Sequence, residues 1–309
     1  MYYLFRLATA LVPRIPRRLF PAFSALFGWF AWLFAGRVRR QAMINMEHVL
    51  GPDLPTAWSG RRLQRRLVRG MFTHSVHNYL EEFSMQTISE QEVLESMAVA
   101  GEEHIREALA LGRGALLFSA HFGPFSYMSQ WLAARGYEMT IPVEQLRDKR
   151  MLDLMLKLRR SHGVQYLPLG ESATMRALLQ ALRKNQLVLI TADRAVVGQS
   201  VEVPFFGAPA RLPAGLANLS QRTGAPLVGA FGWRTRTIPG KQIEGLILPV
   251  SLALPEEQRK QTEVLQTKIV ETLERVIEAH PEQWVVFSPV WTDTVIDTQK
   301  HLDPVYGKQ

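Results

Sequence analysis

Three short stretches hold the residues best suited to chemistry. His121 sits in Ser119-Ala120-His121-Phe122-Gly123-Pro124-Phe125, directly after the apolar run Ala115–Ser119 and before a helical stretch. A strand-to-helix turn of this kind exposes a side chain and leaves backbone N–H groups free at the helix start. A neutral imidazole there can take a proton from an alcohol near neutral pH, and the free amides can hold an oxyanion. A structural histidine bonded to a neighbouring loop fits the same position. Asp193-Arg194 follows a second apolar run, Leu187–Thr191, and reads either as part of a site or as a loop ion pair. Glu202 lies in Val201–Gly207 between hydrophobic residues, where solvent-face alternation also accounts for it. Glu144 and Arg159 are unremarkable by pattern; Arg159-Arg160 near a helix end favours the dipole.

Other chemistries are set aside. The 309 residues contain no cysteine, which removes thiolate nucleophiles, disulfides and cysteine metal sites. The chain lacks a G-x-S-x-G elbow, an H-E-x-x-H pair, a P-loop and a G-x-G-x-x-G turn. The histidine spacing offers no metal set, so no metal is expected. Ser126, five residues after His121, falls on a different helix face and is no nucleophile for it.

The elements that must position these residues alternate from about residue 98 onward. Short apolar runs at Ala115–Ser119, Glu138–Pro142, Val164–Leu167, Leu187–Thr191, Pro226–Phe231, Ile243–Leu248 and Trp284–Ser288 read as strands. Between them, Gly123–Arg135, Met151–His162 (closed by Gly163), Ser172–Lys184, Ala214–Thr223 and Pro255–Ala279 read as helices. The alternation predicts an α/β fold with a mixed, largely parallel central sheet flanked by helices. In such sheets, functional groups gather beyond the carboxyl ends of strands, which is where His121 and Asp193-Arg194 fall.

Residues 1–95 differ in texture. They read as helices, broken at Gly51-Pro52-Asp53-Leu54-Pro55, and divide the chain into an N-terminal helical, basic segment (1–95) and an α/β domain (96–309). Residues 1–70 hold twelve arginines and no lysine against Glu47 and Asp53, a surplus of ten, whereas the whole chain carries +8. The basic character therefore belongs to this segment. Leu19–Gly36 is 18 residues without a charge, rich in Phe, Trp and Leu, and flanked by arginines on both sides. An interfacial helix among anionic headgroups, a short transmembrane span and a buried core helix all fit. No small-x-small site follows it, which argues against a cleaved signal peptide. The aromatics form one block rather than spaced stacking platforms, so nucleic acid is not an expected partner.

Four blocks together carry a family resemblance: Ser119–Phe125, Ile190–Gly207, Pro209–Thr223 and His280–Trp291. They resemble the bacterial lipid A secondary acyltransferases, within the lysophospholipid acyltransferase superfamily. The resemblance is closer still to the phosphatidylinositol mannoside acyltransferases, whose pattern Val143-Glu144-Gln145-Leu146 fits. It implies an acyltransferase with an acyl-CoA or acyl-carrier-protein co-substrate, no further cofactor, and a membrane glycolipid or lysophospholipid acceptor. It also implies the cytoplasmic face of the inner membrane, with an anionic membrane surface bound peripherally or anchored by residues 19–36. The family motif is His-x4-Asp/Glu: His121 matches the base, and the acid position falls on Ser126. Either Glu144 or Glu202 then orients His121, or the chain is a catalytically degenerate, lipid-binding member of the family. On the substrate side the resemblance implies Ser126, Arg159, Asp193, Arg194 and Phe205. Arg159 and Arg194 are expected to bind phosphates, Asp193 to orient Arg194, and the amides of Phe122–Phe125 to hold the oxyanion.

Overall fold

Helical composition and apolar alternation translate directly into the architecture of the computed structural model, which describes residues 2–51, 58–145, 148–159, 164–170, 172–195 and 199–292. The N-terminal part is helical: α1 (Tyr2–Leu11), α2 (Phe20–Phe34), α3 (Gly36–Leu50), α4 (Trp58–Ser84) and α5 (Glu90–Ser96). α2 buries Phe20, Ser24 and Gly28, one residue per turn. The small residues let it lie on α4 backbone to backbone: a Cβ at Gly28 would come 2.7 Å from Thr73 Cα. The rest of α2 is apolar yet outward, with Leu26, Phe27, Trp29, Phe30, Leu33 and Phe34 between 42% and 76% exposed. The expected Gly-Pro break lies at the end of α3, which Gly51 caps; residues 52–57 are outside the described residues.

The α/β part runs β1 (Met97–Ala100), α6 (Glu103–Ala110), β2 (Ala115–Ser119), α7 (Phe125–Ala134), β3 (Met139–Val143), α8 (Lys149–Arg159), β4 (Gln165–Pro168), α9 (Ser172–Arg183), β5 (Leu187–Thr191), β6 (Ser200–Phe205), β7 (Ala208–Pro213), α10 (Gly215–Thr223), β8 (Leu227–Arg234), β9 (Ile243–Leu248), α11 (Glu256–Arg259) and α12 (Thr262–Ala279). Seven strands form one sheet in the order β1-β9-β8-β2-β5-β3-β4. β8, β2, β5, β3 and β4 are parallel, while β9 pairs antiparallel with β8 and carries β1 alongside it. The sheet is thus mixed and largely parallel, as the alternation predicts.

β2 shows why its run is wholly apolar. Leu116 and Phe118 face a core shared with α3, α4, α9, α10 and α12, and Ala115 and Leu117 face a core shared with α5, α6 and α7. A parallel strand covered on both faces has no side that can be polar. The first of these cores includes Ala42, Met46, Val68 and Phe72, so α3 and α4 are packed into the same interior as the sheet.

Several elements depart from the sequence expectation, among them α6, which the alternation does not anticipate. β1 is a short edge strand that pairs only with β9. β6 and β7 form a separate antiparallel hairpin turned at Phe206-Gly207, both at positive φ (50° and 73°), the conformation of a tight two-residue loop. Pro255–Ala279 is two helices, because Gln261 is extended between α11 and α12. Trp284–Ser288 is no strand: Trp284 makes an isolated bridge to Phe122 and the segment continues irregularly. The helix expected over Met151–His162 is seen to Arg159; its expected Gly163 stop lies outside the described residues.

Candidate active site

The register of two adjacent strands builds the centre of the site. Ser119 of β2 pairs with Thr191 of β5, so His121 and Asp193 both lie two residues beyond the same rung. Ala192 N–H donates to Ser119 O (2.9 Å), which carries the alignment past the strand ends. His121 Nδ1 then lies 2.9 Å from Asp193 Oδ1, and His121 N–H donates to Asp193 Oδ2 at 2.9 Å. An ionised carboxylate can only accept, so Nδ1 carries a proton, and in the neutral ring Nε2 is the nitrogen with the lone pair. The Asp193 side chain is fully buried, whereas the imidazole is 28% exposed.

A third donor completes the carboxylate's shell. Trp284 Nε1–H, itself buried, donates to Asp193 Oδ2 at 2.8 Å. Burial alone would raise the Asp193 pKa. The nearby His121 and the hydrogen bonds from the His121 ring, the Trp284 indole and the His121 amide outweigh it, and the pKa is lowered. Asp193 is held ionised against the imidazole it orients.

The turn carrying His121 is clamped from two sides. His121 O accepts from Val285 N–H and Gly123 N–H donates to Gln283 O, each at 2.8 Å, flanking the Phe122–Trp284 bridge. Gly123 has φ +53°, and a Cβ there would sit 2.1 Å from Gly232 O of β8. From α4, Asn78 Nδ2 donates to Gly123 O (3.0 Å). Arg234 links these supports: it donates to Asn78 Oδ1 (2.7 Å) and to Glu81, and exchanges two backbone hydrogen bonds with the Gln283 side chain.

These bonds revise the oxyanion expectation. Within Phe122–Phe125 the Gly123 amide is spent on Gln283 and Pro124 has none, so the Phe122 and Phe125 amides are the ones left to donate. Phe125 opens α7, where the first amides have no intrahelical acceptor.

The remaining expected residues separate into distinct groups. The carboxylate on the imidazole is Asp193; neither Glu144 nor Glu202 reaches it, and Asp193 does not orient Arg194. Glu144 instead accepts from Arg194 Nη2 at 2.6 Å, a pair joining the ends of β3 and β5. Glu202 is exposed on the hairpin, in register with the oppositely charged Arg211 of β7. Phe205 is wholly buried against Trp284 and Trp291, so it backs the indole that bonds Asp193 rather than facing an open surface.

Ser126 and Arg159 meet through a residue the sequence reading does not single out. Ser126 Oγ–H donates to Glu82 Oε2 at 2.6 Å, and Arg159 Nε–H donates to Glu82 Oε1 at 2.5 Å. The Arg159 guanidinium lies over the Phe125 and Tyr166 rings, each 5.6 Å away. Arg159 is therefore committed to a protein carboxylate, and the position of the motif acid holds a hydroxyl that faces one. Glu82 belongs to α4, 44 residues upstream of Ser126, and a buried Glu81-Glu82 pair inside an otherwise basic helix is the signal that marks it. Among the described residues, no group of three or more His, Asp or Glu is arranged to hold a metal ion.

Residues 1–293 match the family described as bacterial lipid A biosynthesis acyltransferase. The chain is 29% identical over 224 residues to a phosphatidylinositol mannoside acyltransferase of Mycobacterium tuberculosis, covering 71% of this chain and 68% of that one. Its counterpart in Mycolicibacterium smegmatis is 26% identical over 236 residues, 76% and 75% of the two chains. A lipid A biosynthesis lauroyltransferase of Escherichia coli is 29% identical over 192 residues, 60% and 59% of the two. With a family match across nearly its whole length, the chain belongs to the bacterial lipid A biosynthesis acyltransferases and is an acyltransferase.

Proposed function

We propose that the chain transfers a fatty acyl group from a thioester, acyl-CoA or acyl carrier protein, to a hydroxyl of a membrane glycolipid or lysophospholipid. The observation that carries this reading is the buried Asp193 bonded to Nδ1 of the partly exposed His121 imidazole, which leaves Nε2 as the base. His121 Nε2 takes the acceptor hydroxyl proton while the oxygen attacks the thioester carbonyl carbon. The Phe122 and Phe125 amides face the resulting oxyanion. Collapse breaks the C–S bond, forms the ester, and returns the proton from the imidazolium to the thiolate. Asp193 stabilises the imidazolium throughout, the part an orienting carboxylate plays in other His-based acyl transfers.

The membrane side of the proposal rests on α1 and α2. Tyr3, Leu4, Leu7 and Leu11 of α1 are 52–72% exposed, and α2 turns a second apolar face outward. Among the described residues no single helix is long and apolar enough to cross a bilayer. α2 and α3 bend by 99° at their junction, which suits peripheral docking on an anionic cytoplasmic leaflet.

The test is incubation of the protein in detergent with labelled acyl-CoA and membrane lipid, followed by mass analysis. A labelled lipid ester from the wild type that disappears with His121→Ala is the expected result. Undiminished transfer by His121→Ala sinks the mechanism. Labelled free acid without any lipid product would make the chain a thioesterase.

A further inference from the structure

Away from the dyad, a depression lies between α4 and the turn at 281–283. This cavity of about 330 Å³ is lined by Arg66, Arg69, Gly70, Thr73, His74 and Glu282. The helix approaches the turn closely because Gly70 has no side chain: a Cβ there would come 2.7 Å from Glu282 Cβ. Arg66 and Arg69 are exposed and one turn apart on α4. Among the described residues, neither guanidinium makes an ion pair or a hydrogen bond. Arg159, Arg194 and Arg234, by contrast, are each tied to a glutamate. His74 adds no charge, because burial and then the Arg234 guanidinium push its pKa down to about 3. Two uncommitted guanidinium forks therefore face a cavity whose one acid is Glu282. Such forks match the oxygens of a phosphate.

What lies beside the cavity identifies the source of that phosphate. Thr73, on its wall, is the residue against which Gly28 of α2 packs. From that crossing α2 turns its apolar side chains outward. Apolar side chains awaiting burial beside unpaired arginines reproduce the layering of a leaflet, acyl region next to phosphate.

We propose that this cavity binds the headgroup phosphate of an anionic membrane lipid and seats the enzyme on the bilayer at the α2–α4 crossing. The proposal rests on the reading of α1 and α2 as the membrane face. It separates a built headgroup site from a diffuse basic surface.

The experiment compares the full-length protein with two charge-matched variants of α4. One is Arg66→Ala/Arg69→Ala. The other is Arg61→Ala/Arg65→Ala, which removes the same charge from exposed positions outside the cavity. Binding is measured by flotation with phosphatidylcholine vesicles and with phosphatidylcholine–phosphatidylinositol vesicles, and the KM for acyl-CoA is measured in detergent. The cavity pair is expected to lose roughly tenfold more affinity for the anionic vesicles than the control pair, with unchanged melting temperature and unchanged KM for the donor. Equal losses in the two pairs overturn the proposal and leave a diffuse basic surface. A raised KM for acyl-CoA with vesicle binding intact also overturns it, and assigns the cavity to the donor's phosphates. A wild type that floats with neither vesicle would instead remove the membrane-face reading on which the proposal stands.

Discussion

Restoring the family's motif acid is expected to harm this protein. Ser126 Oγ is 2.6 Å from Glu82 Oε2, and the Glu82 side chain is 5% exposed. Ser126→Asp places a second carboxylate within van der Waals reach of the first, with one guanidinium, Arg159, on the other oxygen of Glu82. Two carboxylates sharing such a site do not both ionise. Holding an aspartate protonated at pH 7 against an ordinary pKa of ~3.9 costs at most ~4 kcal/mol, at ~1.36 kcal/mol per unit. Arg159 offsets part of this, so the expected loss is about 2–4 kcal/mol, which for a chain of this length lowers the melting temperature by roughly 3–6 °C. The sign with pH is fixed. The variant's shared carboxyl has a raised folded pKa, so the penalty is absent below the ordinary carboxylate pKa and grows as pH rises toward the raised value. Thermal melts of Ser126→Asp from pH 4 to pH 8 measure this, with Ser126→Asp/Glu82→Gln as the rescue that removes the clash of charges. A Ser126→Asp protein as stable as the wild type at pH 8, or a double variant no better than the single, would show that position 126 does not face a carboxylate in the way argued.

Three further outcomes are expected. Asp193→Asn puts an amide where three donors converge and cannot stabilise the imidazolium; kcat is expected to fall by about 10³–10⁴-fold while lipid binding persists, measured by initial rates and flotation. Gly123→Ala adds a Cβ that meets Gly232 O at positive φ, so the protein is expected to lose more than ~1 kcal/mol of stability along with its activity, read by denaturant titration. Burial and then Arg234 lower the pKa of His74 to about 3 and of His77 to about 2, although His77 Nε2 lies 3.4 Å from Glu81 Oε1. Burial outweighs that contact, and the Arg234 guanidinium, paired with the same glutamate, adds to it. The unfolded chain binds protons at these sites below pH ~6.5 and the folded chain does not. Stability is therefore expected to fall as pH drops from ~6.5 toward ~3, by up to ~1.4 kcal/mol per pH unit for each ring. A His74→Asn variant whose pH–stability curve overlays that of the wild type would contradict this.

Much of the site was legible because it follows from strand ends. His121 and Asp193 were both marked by the rule that side chains beyond the carboxyl ends of parallel strands converge. Their partnership was not, since it depends on β2 and β5 being neighbours with Ser119 opposite Thr191, and 72 residues separate the two in the chain. Asp193 was assigned to its sequence neighbour Arg194 for the same reason. The Trp284 indole was hidden because its segment has the composition of a strand yet makes a single bridge. Glu82 was missed for a different cause: helical periodicity tells which face is apolar, but not that a carboxylate on it will find Ser126 and Arg159 across an interface. The β6–β7 hairpin was obscured by its proline content, which reads as loop although Pro204 and Pro209 sit opposite each other in the pair.

α4 gives the molecule a ruler. One uninterrupted helix carries Arg66 and Arg69 at the cavity, Asn78 at the turn of His121, and Glu82 beneath α7. At ~1.5 Å per residue, Arg66 and Asn78 are about 18 Å apart along its axis. Its length sets one distance and its phase sets one angle, so neither can vary alone. Adding a single residue between Arg69 and Asn78 would turn one end by ~100° against the other. The helix could then keep its grip on the cavity or on the catalytic turn, but not on both.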